Sequence, residues 1–162
     1  MDAERIDRAL HGKKGVQVGT VYSGKLGTRM VHGPSGAELT TAAPVDNHGD
    51  GSSFSPTDLV AGALTACMQT IAAIRSEALG KPLRRGDVEM KATKVMTTSG
   101  PRRIAEVAVT AKFARDYTDK EKKSMIRAAK ECPVKRSLHP SVRVPALFLW
   151  ADGTCDSVDL TK

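Results

Sequence analysis

Residues 55–80 read SPTDLVAGALTACMQTIAAIRSEALG. Ser55 offers a hydroxyl to the open amides of a first helical turn, Pro56 suits the first position because no amide hydrogen is needed there, and Asp58 stands three residues after the cap. The stretch predicts a helix ended by Gly80. Val60, Leu64, Cys67, Ile71, Ile74 and Ala78 recur at steps of four and three, so they are expected along one buried stripe, with Cys67 near mid-helix facing the core. Ala61, Gly62, Ala63, Thr65 and Ala66 keep the helix thin, which lets neighbouring backbones come close although Gly62 costs roughly 1 kcal/mol in propensity. Such a helix belongs at the centre of a fold.

Upstream, Val16 to Tyr22, Thr28 to Val31 and Ala37 to Thr41 are short strand-like runs broken by Gly24, Gly27, Gly33 and the Pro34-Ser35-Gly36 turn, a meander of hairpins. Asp2 to Leu10 predicts a short charged helix, and Asp46 to Ser53 a polar loop. Downstream, Val88, Met90, Ala92 and Lys94 alternate with polar neighbours, and Ile104 to Phe113 alternates again beyond Ser99-Gly100-Pro101, which predicts two long antiparallel strands. Thr118 and Glu121 repeat the capping-box pattern before a helix reaching Glu131, and Pro133 redirects the chain. Val142 to Trp150 and Cys155 to Leu160, joined through Asp152-Gly153, read as a closing hairpin. The order of elements indicates α+β, and 162 residues suit a single domain over 1–162.

Hydrophobic residues make up 40% of the chain and charged residues 27%, the balance of a folded protein. Aromatics at 4% are too few for a base-stacking platform. The net charge of +7 concentrates between Lys112 and Arg136, but Asp116, Asp119, Glu121 and Glu131 interrupt it, the pattern of a solvated helix face rather than a phosphate track. No nucleic-acid partner is expected. The chain has neither a secretory leader nor an unbroken apolar run of about 20 residues, so a cytoplasmic protein without a membrane partner is expected.

In a reducing compartment Cys67, Cys132 and Cys155 are not a structural disulfide set; paired behaviour would be catalytic, redox-sensing or metal-related. A cysteine attacks only as a thiolate, and on an apolar helix face that anion needs a cation or a donor. Cys132 stands at a helix end before Pro133, where a bend can hold the thiol at a defined point. Each cysteine alone also fits a small buried residue, and sequence separation does not show that the two touch.

Ser55-Pro56-Thr57-Asp58-Leu59-Val60-Ala61 with Ala66-Cys67-Met68, followed by Glu131-Cys132-Pro133-Val134 and Ser137-Leu138, resembles the two cysteine segments of the OsmC/Ohr family, and the order of elements agrees over nearly the whole chain. The resemblance implies an OsmC-like fold with antiparallel sheets and two central helices, in an intertwined obligate homodimer. It implies reduction of organic hydroperoxides in oxidative stress defence, with Cys67 peroxidatic, Cys132 resolving, no bound cofactor and an external dithiol as reductant. An N-terminal arginine assists the thiolate in the peroxidase branches, held by a glutamate after the motif's proline. Arg29 is the candidate here, with Lys25 nearby; Thr57 stands where the glutamate would, leaving Asp58 or Glu38 to hold the cation. Cys155 matches neither motif and is expected to be non-catalytic.

Two other readings differ in kind. The fold could hold a small apolar ligand at a dimer interface without catalysis. A metal could draw on Cys67, Cys132, His32, His48 and His139, but no Cys-x-x-Cys or His-Glu-x-x-His spacing supports it, and no metal is expected. Phosphate-loop, Rossmann and nucleophile-elbow patterns are absent from the sequence.

Overall fold

The computed structural model describes residues 15–161, so the helix expected over Asp2 to Leu10 lies outside the described residues. Contacts divide the chain into two compact units that meet in sequence between Pro56 and Thr57.

In the first unit β1 (Val18–Gly24), β2 (Gly27–His32) and β3 (Glu38–Thr41) form the expected antiparallel meander. Lys25 and Leu26 join β1 to β2 with φ of 50° and 61°, a two-residue turn whose twist matches the strands. Side chains beyond glycine resist this backbone at a cost of about 1–2 kcal/mol per residue. Leu26→Gly is therefore expected to stabilise the protein by about 0.5–1 kcal/mol, the relief of strain less the extra freedom of the unfolded chain. A urea titration checks this; a lowered midpoint would mean that contacts of the Leu26 side chain outweigh the backbone. The loop after β3 contains a 3-10 turn at Val45–Asn47. Gly49 then passes so close to Ala43 that a Cβ would lie 1.8 Å from its carbonyl oxygen, so a side chain cannot fit without moving the loop. Val18, Val21, Tyr22 and Leu39 all remain exposed on this small sheet.

The second unit comprises α1 (Pro56–Ala78), β4 (Val88–Met96), β5 (Ile104–Phe113), α2 (Asp119–Lys130), α3 (Pro133–Ser137), β6 (Pro145–Leu149) and β7 (Cys155–Asp159). Its sheet runs β4-β5-β6-β7, antiparallel except for the parallel pair of β5 and β6. Helix α1 and the β4–β5 hairpin fall where local pattern put them. The buried stripe of α1 does not. Ala61, Leu64, Met68, Ala72 and Ser76 are buried, whereas Ile74 is 59% exposed, Ala78 is exposed and Cys67 is half-buried at the margin. Apolar and small residues surround much of this helix, so periodicity leaves its rotation open; packing turns the side with Ala61, Ala72 and Ser76 inward. Ser76 is satisfied there by Tyr117, whose hydroxyl lies 2.6 Å away, and by the Lys81 carbonyl.

Although interrupted by Gly, Thr, Cys and Gln, α1 reaches a mean hydropathy of 1.4 over an 18-residue window, long and apolar enough to cross a membrane by length and composition alone, a point the expectation from unbroken apolar runs missed. In this unit Leu64 and Met68 instead pack into a core with Val107, Val109, Phe113 and Phe148. Of the six aromatic residues, Phe113, Tyr117, Phe148 and Trp150 sit in that core, with the Phe113 and Trp150 rings stacked at 4.9 Å.

Thr118 and Glu121 form the reciprocal capping box predicted for α2. Glu121 also takes the Lys81 ammonium at 2.7 Å, and these bonds hold its carboxyl down at about 2. The solvated-face reading of this basic helix fails at Lys122. Its side chain is 7% exposed and its Nζ bonds Asp152 Oδ2 and, at 2.8 Å, Thr154 Oγ1 in the β6–β7 turn.

Candidate active site

Helix α2 ends as the Glu131 amide reaches back to carbonyls of the last turn, and the Cys132 amide bonds Ala129 O at 3.2 Å. Pro133, which has no amide hydrogen to satisfy, opens α3 at once, so only Glu131 and Cys132 separate the two helices, and Cys132 is the N-cap of the second. The bend expected at Pro133 is thus a helix start. Five residues show no hydrophobic period, and the sequence signal available for α3 was Pro133 itself.

Cys132 is wholly buried, with 0% exposure, while Cys67 at the middle of α1 is half-buried against the edge of the same core. The Cys132 side chain lies close enough to Cys67 for that thiol to influence it. Burial pushes the Cys132 thiol above its ordinary range and the neighbouring Cys67 pushes the same way. The amides of Lys135 and Val134 face the sulfur and pull in the opposite direction without cancelling the rise; they do not reach the geometry of a full helix-cap bond. The second unit therefore joins a reachable thiol to a buried, protonated one. Cys155 is exposed at the start of β7.

Arg29 lies on β2 of the first unit, where its Nε donates to Glu38 Oε2 at 2.8 Å and a terminal nitrogen donates to Oε1. The fork holds Glu38 below the usual carboxylate range and raises the guanidinium. Of the acids considered from sequence, Glu38 thus partners Arg29. Asp58 accepts from Lys94 Nζ at 2.6 Å, and Thr57 Oγ1 accepts from the same ammonium at 2.8 Å. Lys94 occupies the inward register of β4, the position at which the alternating apolar run first carried a charge. That break in pattern was the signal for a charged partner. Lys25 sits in the β1–β2 turn and lines a polar cavity with Asp50. His32 and His139 each share a ring nitrogen with a nearby serine, at 2.6 and 2.7 Å. No metal-ligand cluster forms among the described residues.

An α+β protein with neighbouring cysteines, one inside a long helix and one capping a short helix, is the class these features define. The family model described as OsmC-like protein matches residues 49–146, and the chain belongs to that family. A protein of Psychrobacter arcticus 273-4, assigned provisionally to osmotic stress induction and detoxification response, is 36% identical with a TM-score of 0.78, over 84% of this chain and 97% of its own. An organic hydroperoxide resistance protein OsmC of Legionella pneumophila is similar at 18% identity and a TM-score of 0.67, over 83% and 96%. The organic hydroperoxide resistance protein OhrB of Bacillus subtilis follows the same fold at 15% identity and a TM-score of 0.61, over 83% and 97%. No curated protein matches the sequence.

Proposed function

We propose that the protein reduces organic hydroperoxides through Cys67 and Cys132. The observation that carries this reading is the nearness of the two thiols, with Cys67 the more accessible partner and Cys132 buried and held protonated. The Cys67 thiolate attacks the distal oxygen of the hydroperoxide; the O–O bond breaks, an alcohol leaves with a proton, and sulfur becomes a sulfenic acid. The Cys132 sulfur then attacks the Cys67 sulfur, water leaves, and a disulfide forms. An external dithiol takes over that disulfide and restores both thiols. No bound cofactor is required. The names of the Legionella and Bacillus relatives support the substrate class, and Arg29, oriented by Glu38, is the cation assigned to assist the thiolate.

The working unit in this proposal is a homodimer. Apolar side chains left open on the small sheet, together with Ile74 on α1, supply the kind of surface that association covers. The test combines purified protein, an organic hydroperoxide and a dithiol. Peroxide loss should match dithiol oxidised, and without dithiol one equivalent should be consumed as a Cys67–Cys132 disulfide appears by peptide mass. The reduced protein should sediment as a dimer. Peroxide left untouched, with both thiols still free, would sink the proposal in favour of a non-catalytic apolar-ligand protein.

A further inference from the structure

In the second unit, Arg75 near the end of α1 and the C-terminal half of α2 line an open cavity of about 390 Å³, with Ser124, Arg127, Ala128 and Glu131 on the α2 side. Small-molecule pockets begin at about 300 Å³. The Arg75 Nε donates to Ser124 Oγ at 2.6 Å, and Ser124 is buried, so the guanidinium is held in one orientation with its terminal nitrogens left over. Arg127 stands on the next turn of α2 from Ser124. Neither guanidinium forms an ion pair among the described residues, because the acid on this wall, Glu131, gives its carboxylate to Arg136 at 3.0 Å.

Two cations on the wall of one cavity repel each other unless an anion lies between them. The C-terminal end of α2 contributes about half a negative charge, too little to balance both. Arginine pairs with planar or tetrahedral oxyanions through paired N–H donors, which a simple halide cannot exploit. We propose that Arg75 and Arg127 bind the oxyanion of a small molecule, a carboxylate or a phosphate, in this cavity. Arg75 lies eight residues beyond Cys67, about 12 Å along the helix axis, whereas Glu131 at the other side of the cavity directly precedes Cys132. The cavity's occupant would tie α1 to the end of α2 that carries Cys132.

The test uses the full-length reduced protein at constant ionic strength, titrated separately with inorganic phosphate, with propionate, and with chloride as the reference. The readouts are the side-chain Nε–H resonances of arginine and the thermal midpoint. Saturable shifts are expected with phosphate or propionate and not with chloride, and the ion that binds identifies the ligand's acidic group. Arg127→Gln, a change at an exposed position, should weaken binding about tenfold or more, the loss expected for a charge-assisted contact. Arg75→Gln should do the same while circular dichroism stays unchanged. Absence of saturation with both oxyanions overturns the proposal, as does binding that survives both substitutions. It is equally overturned if wild type binds neither ion and Arg127→Gln dissociates a dimer, since a second copy's carboxylate would then fill the cavity.

Discussion

Replacing Cys67 by Ser is expected to lower peroxide consumption by on the order of a thousandfold or more, since removing an attacking group removes the chemical step instead of adjusting it. A serine hydroxyl stays protonated at neutral pH and forms no stable counterpart of a sulfenic acid. Replacing Cys132 by Ser should act differently. The first attack still occurs, so one equivalent of peroxide is consumed and Cys67 becomes trappable by a sulfenic-acid reagent, but no disulfide closes and turnover stops. In wild type the closing step depends on a thiol that burial and its neighbour hold above the ordinary range. Little of it is thiolate at neutral pH, so disulfide formation should accelerate as pH rises through the alkaline range. Single-turnover measurements of both variants check this. If Cys132→Ser abolishes the first equivalent and Cys67→Ser keeps it, the roles are reversed.

Lys122→Met is expected to destabilise the protein by about 2 kcal/mol, read by urea unfolding. Met preserves the stem that packs in the core and removes an ammonium bonded to Asp152 and Thr154 and poised 5.9 Å from the Trp150 ring centroid. The loss stays below the roughly 3–5 kcal/mol typical of a fully buried orphaned charge because the Asp152 side chain is 44% exposed and water can rehydrate it. The reverse change, Asp152→Asn, leaves the buried ammonium with only the exposed Asp119 carboxylate 3.9 Å away and should cost more than Lys122→Met. Equal or reversed costs would show that packing, not charge, fixes this corner. Acid should reveal the same tie. Lys122 chiefly, with Thr154, holds the Asp152 carboxyl at about 2. A carboxyl depressed on folding adds stability that is present above its ordinary range of about 4 and is lost as pH falls toward 2. The acid slope of stability should flatten in Asp152→Asn, with Glu121 and the other lowered carboxyls, Glu38, Asp50 and Asp87, contributing to what remains.

Elements with strong local punctuation were legible in the sequence. Pro56 and Gly80 bracket α1, Thr118 and Glu121 cap α2, and strict alternation marks β4 and β5, because each signal is written within a few residues of the structure it causes. What depended on distant partners was not. The rotation of α1 is decided by the sheet it meets, and an apolar sequence on several sides of the helix permits more than one answer. Lys122 looked like one more surface lysine because its partners lie thirty and thirty-two residues away. Either cysteine alone could be a spectator. Their nearness follows from how α1, α2 and α3 pack, and Arg29 found Glu38 across a strand pair whose register sequence left loose.

The parallel pairing of β5 with β6 also sets an order of events in folding. The β4–β5 hairpin can zip from its own turn, whereas β6 reaches β5 only after the whole span from Phe113 to Pro145, with α2, Cys132 and α3 inside it, has been looped back. A newly made chain would thus hold its hairpin before its thiols are brought together, and opening of the β6–β7 edge would release the Cys132 segment without unzipping the hairpin. Oxidation of the pair would tether the Cys132 segment to α1 through a covalent loop from Cys67 to Cys132, anchoring the chain that leads into β6. Amides of β6 should then exchange with solvent more slowly in the disulfide form than in the dithiol form, while those of β4 change little.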